Sequence, residues 1–359
     1  IQVDRAVDFI WKDTTPLTGQ CADGFSVLWT GYLVPPVSGR YRLGVDACNG
    51  YKLYLDGELL VEYHSIHHPA LRSKEVELEA GRFYPLRLEF FSHGLDPQAR
   101  LLWARPDVDY ETSALEAAGK ADVIVAVMGI SPRLEGEEMP VKVDGFEGGD
   151  RTSIGLPRLQ EEFLKKLHGM GKPVALVLLN GSALAVTWAA EHIPAIIEAW
   201  YPGQAGGDAL ADVLFGDYNP GGRLPVTYYR SVDDLPPFDD YRMEGRTYRY
   251  FDGEPLFPFG HGLSYTTFEF GDLRIHPEQG KIGGQVEISA RVTNTGELAG
   301  DEVVQLYVSH LDAAVPRPLK ELKGFKRVHL EPGESCVVTF GLHIQQLGYY
   351  DETMQYAIH

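Results

Sequence analysis

Basic residues are scarce in this 359-residue chain: 32 lysines and arginines stand against 51 aspartates and glutamates, for a formal net charge of −19. No basic stripe is available to neutralise phosphates, which argues against a nucleic-acid partner and for a neutral or weakly charged ligand. Long apolar runs are also missing. The longest resemble "VALVLL", far short of the ~18 residues of a membrane span, so no membrane partner is expected. Three cysteines (Cys21, Cys48 and Cys336) make no disulfide framework. Cys21 and Cys48 could pair within the first segment, with buried thiols as the plainer reading. There is no P-loop, no GxGxxG and no GxSxG elbow, so a phosphate cradle is disfavoured and no serine-hydrolase nucleophile is visible. The chain opens at Ile1 with neither a methionine nor a signal peptide, and it is expected to be a fragment or a processed chain.

What is present falls into three textures. Residues 1–107 alternate apolar and polar ("FSVLWTGYLVPP", "YKLYLDGELL", "YPLRLEFF") between Gly, Pro and Asp turns, the period of an antiparallel β-sandwich. Residues 108–270 interleave β-branched strands ("VIVAVMG", "VALVLLNG", "PAIIEAWYPG") with helical segments, which implies an α/β sandwich with a mostly parallel sheet covered on both faces. One helix carries Leu159, Phe163 and Leu167 at four-residue spacing, with Pro157 at its first turn and Gly169 at its end; another carries Leu210, Val213 and Leu214. Residues 108–120 read as a linker or connecting helix. Alternation returns over 271–359, as in an immunoglobulin- or fibronectin-III-like sandwich.

One stretch stands out. "RLEGEEMPVKVDGFEGGDR", residues 133–151, follows the strand "VIVAVMG" and holds six acidic side chains: Glu135, Glu137, Glu138, Asp144, Glu147 and Asp150. Ligands of parallel sheets gather at the C-terminal strand ends, and long aperiodic loops are usually functional or disordered. Crowding raises the pKa of the least solvated carboxyl, which is what a general acid requires. The alternative is a solvated acidic lid, its carboxylates in water or paired with Arg133 and Arg151. Other motifs compete weakly. "YPGQAGGDAL" is glycine-rich for tight strand–helix packing. His64, His67 and His68 of "HSIHHP" lack partner spacing for zinc and read as exposed loop residues. Trp29, Trp103 and Tyr54 read as sandwich core in preference to a sugar-stacking platform.

Taken together, "ADVIVAVMGISPRLEGEEM…GGDRTSIGLP", "GKPVALVLLNGSAL", "AWYPGQAGGDALADVLFGDYNPGGRLPVTYYRS" and "YRYFDGEPLFPFGHGLSYTTFEF" resemble the second domain of glycoside hydrolase family 3. The tail "VTNTGELAGDEVVQLYV…LKGFKRVHLEPGES" is similar to the fibronectin-III-like domain that closes many of its members. The first segment looks like a protective-antigen-type (PA-14) domain inserted in some of its β-glucosidases and β-xylosidases. The resemblance implies the C-terminal half of a retaining, exo-acting β-glycosidase whose nucleophilic aspartate lies on an N-terminal barrel domain, in the same polypeptide or a companion chain. It also implies an oligosaccharide or an aryl or alkyl β-glycoside as substrate, with sugar choice set largely on the barrel. The family's acid/base glutamate lies in a Gly-Glu-Gly-like segment upstream of an Asp-Arg pair. Gly136-Glu137-Glu138 upstream of Asp150-Arg151 matches it best, with Glu in place of the second Gly and an insertion before the pair. Glu137 is therefore the first candidate, Glu138 and Glu135 are the alternates, and Glu147 is a more distant one. No cofactor or metal is expected; some sugar-binding relatives of the first domain hold calcium between adjacent aspartates, and Asp46 and Asp56 form no such pair. A secreted or periplasmic location is favoured, and the sequence leaves a homo-oligomer open. The rival functions are a non-catalytic carbohydrate-binding or adhesion module, which leaves the α/β domain unexplained, and a nucleotide-binding enzyme, which the missing fingerprints disfavour.

Overall fold

A computed structural model describes residues 2–11, 24–64, 70–93, 97–136, 141–311 and 315–358. The chain forms two compact units, Ile1–Glu116 and Ala117–His359.

In the first unit β1 (Asp8–Ile10), β8 (Gln98–Ala104), β3 (Gly39–Cys48) and β6 (Ala70–Leu78) form one four-stranded antiparallel sheet, in that order. The second sheet runs β2 (Phe25–Leu33), β7 (Tyr84–Ser92), β4 (Gly50–Leu55) and β5 (Glu58–Tyr63). The period-two pattern explains the burial: along β2, Phe25, Val27 and Trp29 pack on the core while Ser26, Leu28 and Thr30 face out. Tyr41, Leu43, Val45, Tyr51, Leu53, Leu88 and Phe90 are fully buried, and each large apolar side chain contributes roughly 1.5–3 kcal/mol by leaving water. The buried phenols stay satisfied, Tyr41 donating to Val37 O (2.8 Å) and Tyr51 to Ala70 O (2.9 Å).

Trp29, Trp103 and Tyr54 do not share a face. Trp29 stacks among Phe9, Trp11 and Phe90, Trp103 lies on Tyr41 in the other sheet, and Tyr54 is covered by the Arg87 guanidinium at 3.9 Å. They form no single sugar platform, and only Trp29 packs on the core as expected: Trp103 is 37% exposed, and strand alternation sends Tyr54 outward between buried Leu53 and Leu55. Cys48 is buried; its suggested partner Cys21 lies outside the described residues, as do His67 and His68.

Residues 108–120 contain a helix, α1 (Tyr110–Lys120). Asp109 caps it, accepting from Thr112 N at 3.0 Å.

The second unit is built on a three-stranded parallel sheet, β14 (Ala195–Glu198), β13 (Val174–Leu179) and β9 (Ile124–Gly129), with β13 central. Its strands are joined through the helices α2 (Arg158–Gly169) and α3 (Thr187–His192), and α4 (Gly206–Phe215) follows β14. The buried stripe of α2 matches the expected one only in part. Leu167 is buried as expected, but Leu159 is 70% exposed and the fully buried residue is Leu164. The cause is Gln160, which turns inward to close both ends of one peptide: Gly129 N–H donates to its Oε1 at 2.7 Å, and its Nε2 donates to Gly129 O at 2.8 Å. With Gln160 facing the sheet, Leu159, about 100° away around the helix, faces solvent. Of the glycines in "YPGQAGGDAL" only Gly206 is held by packing, since a Cβ there would lie 2.5 Å from Pro202 Cβ in the preceding turn. A Cβ on Gly203 or Gly207 would meet nothing within 4 Å, so the expected strand–helix packing does not account for them.

Gly129 has a second constraint. Its φ is +138°, and a Cβ there would sit 2.0 Å from Leu179 O, the atom that accepts from Ile130 N at 2.9 Å. Gly129→Ala is therefore expected to cost at least about 1–3 kcal/mol for backbone conformation alone, plus the overlap. An unchanged midpoint in thermal unfolding would show that this strand end is not held as described.

Residues 268–343 form two antiparallel sheets, β15 (Phe268–His276), β16 (Gln285–Asn294) and β19 (Ser335–His343) in one, β17 (Gly300–Val308) and β18 (Glu321–Leu330) in the other, and a two-residue hairpin pairing Tyr349–Tyr350 with Tyr356–Ala357 follows. Val292, Val304, Leu330 and Val338 fill one part of the space between them, and Val286, Ile288 and Leu342 another. This sandwich is joined to the α/β part by polar contacts. Arg223 meets Glu302 at 2.8 Å, Asn219 Nδ2 donates to Ala299 O at 2.9 Å, and Leu322 N donates to Tyr248 OH at 3.1 Å.

Candidate active site

Because β9, β13 and β14 are parallel, their C-terminal ends lie along one edge. Glu198 ends β14, Asn180, Gly181 and Ser182 follow β13, and β9 leads into the acidic loop. That loop is more ordered than its aperiodic sequence implies. It contains a small antiparallel meander of β10 (Lys142–Val143), β11 (Phe146–Glu147) and β12 (Asp150–Arg151), pinned by buried Phe146. Strands of two residues are too short to leave a period in the sequence. Their two-residue turns, Asp144-Gly145 and Gly148-Gly149, are the legible signal.

Of the six acids in the stretch, four are described. Asp144, Glu147 and Asp150 are exposed, with Asp144 3.4 Å from Arg158. Glu135 alone of these four turns inward and spends both oxygens: Oε1 accepts from Gly181 N (2.8 Å) and Tyr201 OH (2.5 Å), and Oε2 from Ser182 Oγ (2.6 Å). The approach is close enough to require glycine, since a Cβ on Gly181 would lie 2.7 Å from Glu135 Oε1. A carboxylate with three of its roughly four lone-pair sites filled by its own domain serves as an anchor for the loop. Glu137 and Glu138 lie outside the described residues. Both flanks of that segment attach to one hairpin, Gly136 N donating to Gly149 O (3.2 Å) and Gly148 N to Val141 O (2.8 Å).

Arg151 closes the far end of the loop. Its Nη1 donates to Ser182 Oγ (2.9 Å) and Ala183 O (2.8 Å), and its Nε to Ser153 O (3.1 Å). Burial pushes this guanidinium down from its ordinary pKa, and the nearby Glu135 carboxylate opposes that shift. It remains a cation, as arginine does throughout proteins. Behind it lies a second carboxylate, Glu198, which accepts from Tyr228 OH (2.6 Å), Trp200 N (3.0 Å) and Asn180 Nδ2 (3.2 Å). Burial raises its pKa against those three donors. Trp200 adopts φ +54°, a rare conformation for a bulky residue, and its N–H is fixed by Glu198. The Tyr201 and Tyr228 hydroxyls are both held above the usual phenol range, first by burial and then by their bonds to Glu135 and Glu198.

Glu198, Ser182, Tyr201 and Gln160 were not singled out by sequence reasoning. Their one sequence signal is position: all but Gln160 sit at or just past the end of a strand in the parallel sheet. Among the described residues no group of three or more His, Cys, Asp or Glu side chains could hold a metal, and no helix is long and apolar enough to cross a membrane.

A parallel sheet with a carboxylate-bearing loop at its strand ends, followed by a β-sandwich, is an arrangement that this chain shares with known proteins. The glycosyl hydrolase family 3 C-terminal domain matches residues 25–265, and a fibronectin type III-like domain matches residues 302–359. The chain belongs to glycoside hydrolase family 3. It is 40% identical to a xylan 1,4-beta-xylosidase of Xylanibacter ruminicola over 92% of its own length and 38% of that protein's. It is also 40% identical to a periplasmic beta-glucosidase of Salmonella typhimurium, over 68% of this chain and 32% of that one. The crystal structure of the Kluyveromyces marxianus beta-glucosidase in complex with glucose superposes with a TM-score of 0.72 at 32% identity, covering 93% of this chain and 41% of that one. The chain thus spans well under half the length of these relatives.

Proposed function

We propose that this chain is the C-terminal portion of a retaining, exo-acting β-glycosidase of the β-glucosidase or β-xylosidase type, and that it supplies the general acid/base from Glu137. A retaining mechanism needs two carboxyl groups roughly 5–5.5 Å apart, one to attack the anomeric carbon and one to protonate the leaving oxygen and then activate water. The nucleophile is assigned to an N-terminal barrel domain, in keeping with relatives more than twice as long. The observation that carries the reading is the tethered acidic loop at the strand ends: Glu135 and Arg151 hold its two ends, and the Gly136-Glu137-Glu138 segment lies between them. Glu135 is committed to its anchor contacts, which favours Glu137 among the three. Glu138 is the neighbouring alternative, and Glu147 stands exposed on β11.

In this scheme residues 1–107 are a protective-antigen-type domain inserted in the α/β sandwich, residues 108–270 the second part of that sandwich and residues 271–359 the fibronectin-III-like domain. The substrate is a terminal, non-reducing β-linked sugar on an oligosaccharide or on an aryl or alkyl aglycone.

The 359-residue chain alone is expected not to hydrolyse aryl β-glycosides, and adding the barrel-containing segment is expected to restore hydrolysis with retention at the anomeric carbon. Turnover by the purified chain alone, or an inverted first product by NMR, would refute this half-site reading.

A further inference from the structure

The two ends of the acidic loop meet at one hydroxyl. Ser182 Oγ donates its single proton to Glu135 Oε2 at 2.6 Å and accepts from Arg151 Nη1 at 2.9 Å. The donor and acceptor roles are compatible: the carboxylate can only accept and the guanidinium can only donate. Both bonds involve a charged group, which makes them stronger than neutral ones. Gly181 N and Tyr201 OH reinforce the first contact, Ala183 O the second. Ser182 itself lies three residues past the end of β13, the central strand of the sheet, whose Leu176, Val177 and Leu178 are buried. The loop is therefore referenced to the buried central strand of the sheet.

We propose that Ser182 is a positioning residue for the loop's general acid: by joining Glu135 to Arg151 it fixes the frame from which the acid/base segment starts. The proposal rests on the reading that the general acid belongs to this loop, with Glu137 as its bearer. Without the hydroxyl, Glu135 Oε2 loses its donor and Arg151 Nη1 keeps only Ala183 O. The loop ends are then free to shift, and a general acid displaced by an ångström loses much of its effect.

The test uses two preparations. In the 359-residue chain, Ser182→Ala should speed amide exchange at Gly136 and Gly148 by at least about tenfold, leaving the β13 amides unchanged. In the complete enzyme, Ser182→Ala should lower kcat on a natural disaccharide by about 10–100-fold, with KM nearly constant and a much smaller loss on a dinitrophenyl glycoside. Ser182→Thr, which keeps the hydroxyl, should restore most of both properties. The pair Ser182→Ala/Glu137→Ala should be no slower than Glu137→Ala alone. Unchanged exchange in Ser182→Ala would overturn the tie, and faster exchange with full activity would overturn the positioning role. If Glu137→Ala shows no leaving-group dependence while Ser182→Ala does, Glu137 is the wrong bearer and the positioning role stands. If the double variant is further slowed although Glu137→Ala does show that dependence, Ser182 acts elsewhere and the proposal falls.

Discussion

Glu137→Ala in the complete enzyme is expected to slow hydrolysis of natural disaccharides by about 10²–10⁴-fold, the usual worth of a positioned general acid. The loss should depend on the leaving group. A sugar alkoxide is a poor leaving group and needs its proton as the bond breaks; dinitrophenolate departs without one. Glycosylation by a dinitrophenyl glycoside should therefore proceed, and deglycosylation should become limiting, because the same glutamate no longer activates water. Azide attacks without a general base and should rescue that step as a glycosyl azide of retained configuration. Glu138→Ala should show neither behaviour. Glu135→Ala should show a milder leaving-group effect, through loosened loop ends, together with faster exchange at Gly136. The assignment moves to Glu138 if that variant alone gives strong leaving-group dependence and azide rescue. A series in which no glutamate of the loop behaves this way would reduce the loop to a lid.

How much of this was legible in the sequence follows the range of each interaction. The parallel sheet was legible because unbroken β-branched runs alternate with helical segments, and β9, β13 and β14 do pair in parallel. The loop's place was legible because the chain leaves β9 directly into it. Within the loop, spacing pointed to the Glu135–Glu138 cluster and could not separate its members, since what distinguishes Glu135 is Ser182 and Tyr201, 47 and 66 residues away. The same limit moved the buried face of α2: Leu159 fits a four-residue spacing, yet Gln160 is drawn inward by a backbone peptide 31 residues earlier. Glu198 was missed for a related reason. It closes an apolar strand, "AIIE", and only the folded sheet brings Tyr228 and Asn180 onto it.

Arg223→Ala is expected to destabilise the second unit strongly. Arg223 and Glu302 are 2.8 Å apart with side chains only 10% and 12% exposed, and they join the α/β part to β17 of the terminal sandwich. Arg223 also donates from Nη1 to Gly222 O (2.9 Å), so its fork is occupied on both sides. Surface pairs are usually worth under 1 kcal/mol; this pair has lost most of its water, which changes the sign of what matters. The pair as a whole can be nearly neutral, because desolvation offsets attraction. Removing one partner leaves the other charge buried without compensation, at about 3–5 kcal/mol. For a unit of this size each kcal/mol moves the melting temperature by about 2–4 °C, so Arg223→Ala should lower it by about 6–20 °C. Glu302→Leu alone should also destabilise, by stranding the guanidinium. The double variant Arg223→Met/Glu302→Leu should recover most of the loss, because it removes both charges and keeps the volume. Calorimetry of the 359-residue chain decides between these terms. A shift under about 2 °C for Arg223→Ala would mean that water reaches the pair after all. A double variant as unstable as the single one would mean that shape, rather than the stranded charge, decides how the two parts hold together.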